Sequence, residues 1–210
     1  MRGIVFGIFL FVIGCRGKVE EKKEVQAEEE FKIGMELYEK KKYKKASKRF
    51  ENIIFHQPTH KLAEEAQFRL AECMFYTKEY SKAETEYEFF VRTYPRSRFT
   101  DDAAFKEAVC CFMQTPPYYL DQSLTYKAWR KFESFIKKYK DSPLIDSAKY
   151  YIQQCMNKLV KKELETAKLY WKMEKIESAI LYLEDIQKNF PHSSYKEEVE
   201  NLLEKLKRRK

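Results

Sequence analysis

Residues 68–95 read FRLAECMFYTKEYSKAETEYEFFVRTYP, and their spacing decides the fold. Ala71 is followed three residues later by Met74, and Ala83 by Tyr87 at +4, Phe90 at +7 and Pro95 at +12. Apolar residues three, four and seven apart mark one face of a helix, and the pattern occurs twice here, predicting helices over 61–77 and 80–94. A small residue at a helix crossing lets two backbones approach closely, and the bulky residues around it fill the space that remains. Proline closes the second run because it has no amide to donate and its ring clashes with the turn before it.

The same signature recurs outward in both directions. Ala46, Ala128 and Ala179 carry bulky residues at +4 (Phe50, Phe132, Leu183) and at +7 (Ile53, Phe135, Ile186). Twelve residues on stand Pro58, Lys140 and Pro191, and twelve residues upstream of Ala46 and Ala179 stand Gly34 and Ala167. In the third unit the small residue is Ala108, displaced by an insertion from Thr115 to Gln122 that holds two prolines and two tyrosines. That insertion is read either as a stiffened second binding surface or as a plain connector. The joints repeat as well, in Tyr94-Pro95-Arg96-Ser97, Tyr139-Lys140-Asp141-Ser142 and Phe190-Pro191-His192-Ser193, each with serine near a helix start and carboxylates in the first turn. Helices are therefore expected near 28–41, 43–56, 61–77, 80–94, 99–114, 122–139, 144–173, 176–190 and 194–208.

This alternation of small residue, large residue, alanine, aromatic and proline resembles the tetratricopeptide repeat (TPR), a helix-turn-helix unit. The fold class expected is all-α, a TPR-like α-α superhelix (solenoid) of about four helix pairs, with units at 28–58, 61–95, 99–140 and 144–191 and a C-terminal capping helix at 194–208. In such arrays the first-helix positions three before and four after the small residue face the concave side. Here they are Phe31, Phe68, Phe105 and Leu164 on one row, and Tyr38, Phe75, Phe112 and Trp171 on the other. These rings form a peptide groove, together with Met35, or serve as core between neighbouring first helices. A carboxylate clamp is not indicated, because Phe31 and Met35 stand where clamp proteins place lysine and asparagine.

Composition excludes several classes of function. Four of the five glycines (Gly3, Gly7, Gly14, Gly17) precede residue 18, so the body offers no phosphate-cradling loop and few hairpin turns. Lys and Arg number 41 against 33 Asp and Glu, a net charge of +8 spread as mixed charge along helices, which is a solvated face and no sign of nucleic-acid binding. His56, His60 and His192 all fall at joints, and there is no HExxH, Gly-x-Ser-x-Gly or Cys-x-x-Cys. No catalytic residue, metal or cofactor is expected. Cys73, Cys110, Cys111 and Cys155 are expected as buried free thiols acting as small hydrophobes.

The start of the chain is an address. A positive Met1-Arg2-Gly3 precedes an uncharged apolar run, Ile4 to Ile13, too short to cross a bilayer. Val12-Ile13-Gly14-Cys15 resembles the bacterial lipobox, which implies a lipoprotein signal peptide over 1–14 and a lipid-modified (palmitate-bearing) Cys15 as first mature residue. Several acyl chains would hold such a protein on its membrane. The alternative is an ordinary secretory signal with a chance cysteine. Residues 15–27 read as a charged tether, and Arg16 in place of aspartate favours the outer membrane by the enterobacterial sorting rule.

Successive marker alanines lie 37, 45 and 51 residues apart, longer than the regular repeat. Those periods, the Tyr-Pro-x-Ser-x-Phe joint, the long helix after the third unit and the lipobox together resemble the BamD family, lipoprotein subunits of the outer-membrane β-barrel assembly machine (BAM complex). The resemblance implies a periplasm-facing scaffold. Its C-terminal half would dock to the barrel-forming assembly protein, with other assembly subunits as further partners, and its N-terminal half would meet unfolded outer-membrane protein segments. Lys161, Lys168, Trp171 and Lys172 on the long helix are candidates for the docking contact. The other class of function is a different periplasmic TPR adaptor lipoprotein, in cell-envelope or division coordination. Such relatives place a coiled coil before shorter, regular repeats. Family members commonly complete five helix pairs, and this sequence shows the first helix of a fifth.

Replacing Cys15 with serine should move the protein from the membrane to the soluble fraction. Unchanged sedimentation of Cys15→Ser would show that the lipobox reading is wrong.

Overall fold

The computed structural model describes residues 26–208. Cys15, the signal segment and nearly all of the tether lie outside them. The described residues form nine helices and no strand: α1 (26–39), α2 (Tyr43–His56), α3 (Ala63–Tyr76), α4 (Tyr80–Thr93), α5 (Thr100–Met113), α6 (Ser123–Lys138), α7 (Ile145–Lys172), α8 (Ile176–Asn189) and α9 (Lys196–Lys207). From α2 to α9 every helix begins and ends within two residues of the expected bounds. The chain divides into two compact units, the first running to Ser97 and the second from Arg98.

Within each unit consecutive helices pack against one another, α2 on α3 and α3 on α4 in the first, and α5 through α9 in sequence in the second. The pairs are TPR-like, and the reason is visible at their crossings. Ala46, Ala71, Ala83, Ala108, Ala128, Ala167 and Ala179 have no exposed surface at all. Gly34 is buried too, and a β-carbon there would come within 2.8 Å of the Phe50 ring. The residues at +4 and +7 then fill the pair: Phe50 and Ile53, Tyr87 and Phe90, Phe132 and Phe135, Leu183 and Ile186 are all buried. Each such side chain stabilises the fold by about 1.5–3 kcal/mol through removal from water.

Three of the four turns inside the pairs are built alike. Lys41, Lys78 and Glu174 adopt left-handed backbone, with φ of 56°, 64° and 61°. The next residue closes the turn by donating its amide five residues back, Lys42 to Leu37 O, Glu79 to Met74 O and Lys175 to Tyr170 O. This is a Schellman-type ending made without glycine. The left-handed conformation costs an ordinary side chain on the order of 1–2 kcal/mol, which the recovered carbonyl partners offset. In the third pair the insertion replaces this turn.

The joints between pairs differ from expectation in one respect. Leu62, Phe99, Leu144 and Tyr195 occupy the N-cap positions of α3, α5, α7 and α9, and none caps its helix with a side chain. The joint serines reach sideways instead. Ser97 Oγ donates to Glu64 on α3, and Ser142 Oγ donates to Asp101 on α5 at 2.8 Å, so each latches the end of a pair to the start of its own first helix. Both carboxylates stand seven residues before the small residue of that helix, Ala71 or Ala108.

The third latch is missing, and the length of α7 explains why. This helix has 28 residues, about 42 Å at 1.5 Å per residue. Its N-terminal half packs with α5 and α6, where Tyr151 stacks on Phe132 at 5.0 Å, and its C-terminal half packs with α8 and α9 around Leu159, Val160, Leu164 and Ala167. The joint after α8 therefore returns to the middle of α7, far from the acidic first turn at Asp146. Seven residues before Ala167 stands Val160, fully buried, and Ser193 Oγ is left without a hydrogen-bond partner. Asn157 takes over part of the role by accepting from the Ser194 amide at 3.1 Å.

Ser142→Ala should cost about 1.5 kcal/mol, because Asp101 loses its hydroxyl donor. Ser193→Ala, which breaks no bond, should be close to neutral. Thermal unfolding of the two variants checks this, and equal losses would refute the latch.

Candidate functional site

The aromatic rows separate into covered and open rings. In the first unit Phe31 packs on Phe50 at 5.8 Å. Phe68 lies between Tyr87 and Phe90, 6.0 and 5.6 Å away, and only 4% of it is exposed, so it belongs to the core. Met35 and Tyr38 are half-buried beside the first core cluster, and Phe75 is half-buried against Tyr76 and Tyr80.

Around Tyr38 the structure assembles a polar and aromatic patch that the ring spacing does not announce. Tyr43 and Tyr76 stack at 4.8 Å, and both meet the Tyr38 ring edge-on. The Tyr38 hydroxyl donates to Glu72, which also takes a hydrogen bond from Arg69 at 2.7 Å, while Arg69 donates to Glu65 at 3.1 Å. The Arg69 guanidinium sits 5.6 Å from the Tyr38 ring and 5.8 Å from Phe68. Burial, followed by the charge of Glu72, pushes the Tyr38 phenol well above its ordinary range. The only sequence signal for this network is Glu65, Arg69 and Glu72 at helical spacing on one face.

In the second unit Phe105 touches Phe132, Phe135 and Tyr151, and Phe112 touches Tyr151 at 5.1 Å. Leu164 is buried. Trp171, the last of the row, opens instead onto a groove of about 840 Å³ between the end of α7 and α9, shared with Lys168, Lys172, Leu202 and Lys205 and with the acids Glu197 and Glu198. Lys205 lies 4.7 Å over the Trp171 ring. Lys168 bridges Glu165 and Glu198, both at 2.8 Å, and these bonds hold its ammonium above the usual lysine range.

Of the four docking candidates, the structure thus gathers Lys168, Trp171 and Lys172 at one groove. Lys161 goes elsewhere: its ammonium lies 4.6 Å over the Tyr118 ring of the insertion. Among the described residues no cluster of three or more His, Cys, Asp or Glu could hold a metal ion, and no helix is long and apolar enough to cross a membrane. The patch of the first unit carries its ion pairs within it, and the groove of the second has them at its rim.

The family model for YfiO, described as an outer membrane lipoprotein, matches residues 23–209. No curated protein matches the chain.

All four described cysteines are buried thiols. Burial pushes Cys73 and Cys155 up to about 12, far above a pH at which thiolate would form. At pH 8 the folded chain should therefore react with iodoacetamide at least tenfold more slowly than the chain in denaturant. Mass spectrometry counts the modified thiols, and prompt labelling of the native protein would refute this packing.

Proposed function

The chain belongs to the YfiO family of outer membrane lipoproteins, and on that premise we propose that it is a scaffold in outer-membrane β-barrel assembly, of the BamD type. It is tied to the membrane through Cys15 and faces the periplasm. It has no chemistry of its own and acts by holding chains in place.

The observation that carries this reading is the patch on α1 and α3. Tyr38, Phe75 and Tyr76 keep part of their rings open beside the Arg69 network, while Phe31 and Phe68 behind them are packed as support. An unfolded barrel segment presents alternating apolar and aromatic side chains and an unpaired backbone. Rings of this kind cover the former, at roughly 1–2 kcal/mol per contact, and tyrosine hydroxyls suit the latter. Phe105 and Phe112 on α5 hold the corresponding repeat positions in the second unit. The groove at Trp171, Lys168 and Lys172 is the docking site for the barrel-forming assembly protein in this reading. An apolar side chain inserted over Trp171, with a carboxylate facing Lys172, fits its lining.

A photo-reactive side chain at Phe75 should label barrel C-terminal peptides several-fold more than one at Lys48, which is exposed on α2. Equal labelling would reduce the aromatic row to packing. Affinity isolation with the anchor intact should bring down a large barrel protein with periplasmic repeat domains, and its repeated absence would overturn the scaffold reading.

A further inference from the structure

The insertion is fastened from three sides. Lys158 on α7 donates to Thr115 Oγ1 at 2.6 Å and to the Pro116 carbonyl at 3.0 Å, and Lys162 donates to the Leu120 carbonyl at 3.1 Å. Between them Lys161 covers the Tyr118 ring. From inside, the buried Gln122 side chain donates to the Pro117 and Leu120 carbonyls and accepts from Thr125 Oγ1. A connector needs none of this. Eight residues with two prolines have been given a fixed shape by a lysine row whose middle turn is partly withdrawn from water for the purpose.

What that shape presents is apolar. Tyr119 is 67% exposed and Leu120 50%, and Leu124 and Tyr126 in the first turn of α6 are also exposed. An exposed tyrosine and leucine on a loop fastened in this way have the composition of a binding hot spot, and the fixed conformation lowers the ordering cost of association.

We propose that the tip formed by Tyr119 and Leu120, with Leu124 in the adjoining first turn of α6, is a docking knob for a partner protein that offers an apolar socket edged by carboxylates. The charge of the mount sets the edge: Lys158, Lys161 and Lys162 outnumber Asp121 and Glu163, so the surrounding field favours an acidic rim. The same lysines argue against a lipid surface. A tip that rests on a bilayer leaves its long cations free to reach headgroup phosphates, whereas here the ammoniums turn inward onto loop carbonyls and a ring. The knob is separate from the Phe75 patch and from the Trp171 groove, and it stands or falls independently of them.

The test uses the full chain in its membrane, with benzoylphenylalanine in place of Tyr119 and the adduct identified by mass spectrometry. The expected product joins residue 119 to a protein segment rich in apolar residues and bordered by Asp or Glu. An adduct to lipid alone, to a second copy of this chain alone, or no adduct would overturn the proposal. With the photo-reactive group moved to Leu124, the changes Tyr119→Ser and Leu120→Ser should lower the yield of the same adduct about tenfold, equivalent to one lost hot-spot contact. Circular dichroism should remain unchanged in that variant, since both side chains are exposed. An undiminished yield would show that the tip contributes nothing.

Discussion

The close approach of paired helices at a residue no larger than alanine governs the rest of this structure. Eight small residues, from Gly34 to Ala179, are buried, one on each partner of the four pairs. Backbones that near leave room for one layer of large side chains, and the layer is supplied by the +4 and +7 positions. Gly34 shows how tight the fit is, since even a methyl group would press on the Phe50 ring. Once that layer is in place, the positions that remain on each first helix, among them Tyr38, Phe75 and Trp171, have nowhere to go but a face shared with solvent. The open aromatic surfaces are what the packing rule leaves over.

That rule was legible in the sequence because it is local and periodic. Helix ends, crossing alanines and the core layer all follow from residues a few turns apart. Phe68 shows the limit: it sinks to 4% exposure while Phe105, at the same register and against the equivalent +4 and +7 rings, stays partly open, a difference that spacing alone does not reveal. Ser97 and Ser142 stand near helix starts yet act as latches instead of caps, because the carboxylate that receives each one lies about a whole pair away in sequence. The lysines of α7 looked like one basic face. They divide between insertion and groove because a helix presents successive residues 100° apart, and each direction meets a different neighbour.

The two surfaces differ in how they treat charge. Around Tyr38 the ions are drawn inward, with Arg69 held by Glu65 and Glu72 and layered on rings, so the patch offers aromatic faces stiffened by a buried network. At Trp171 the ions stand at the rim, and Lys172 and Lys205 border the groove while Lys168 spans to Glu198. The first arrangement suits a variable segment read by its apolar content, and the second suits one fixed contact in which an opposite charge sets the register.

The uninterrupted course of α7 has a mechanical consequence. Lys158 and Lys162 carry the insertion, and Lys168, Trp171 and Lys172 carry the groove, on the same rod and within about four turns of one another. A helix packed on both halves by core residues does not bend between these points without breaking hydrogen bonds. A force applied at the tip is therefore delivered to the groove as rotation or translation of a single beam. In this unit the third and fourth pairs have no hinge between them, and anything that seizes one end takes hold of the other.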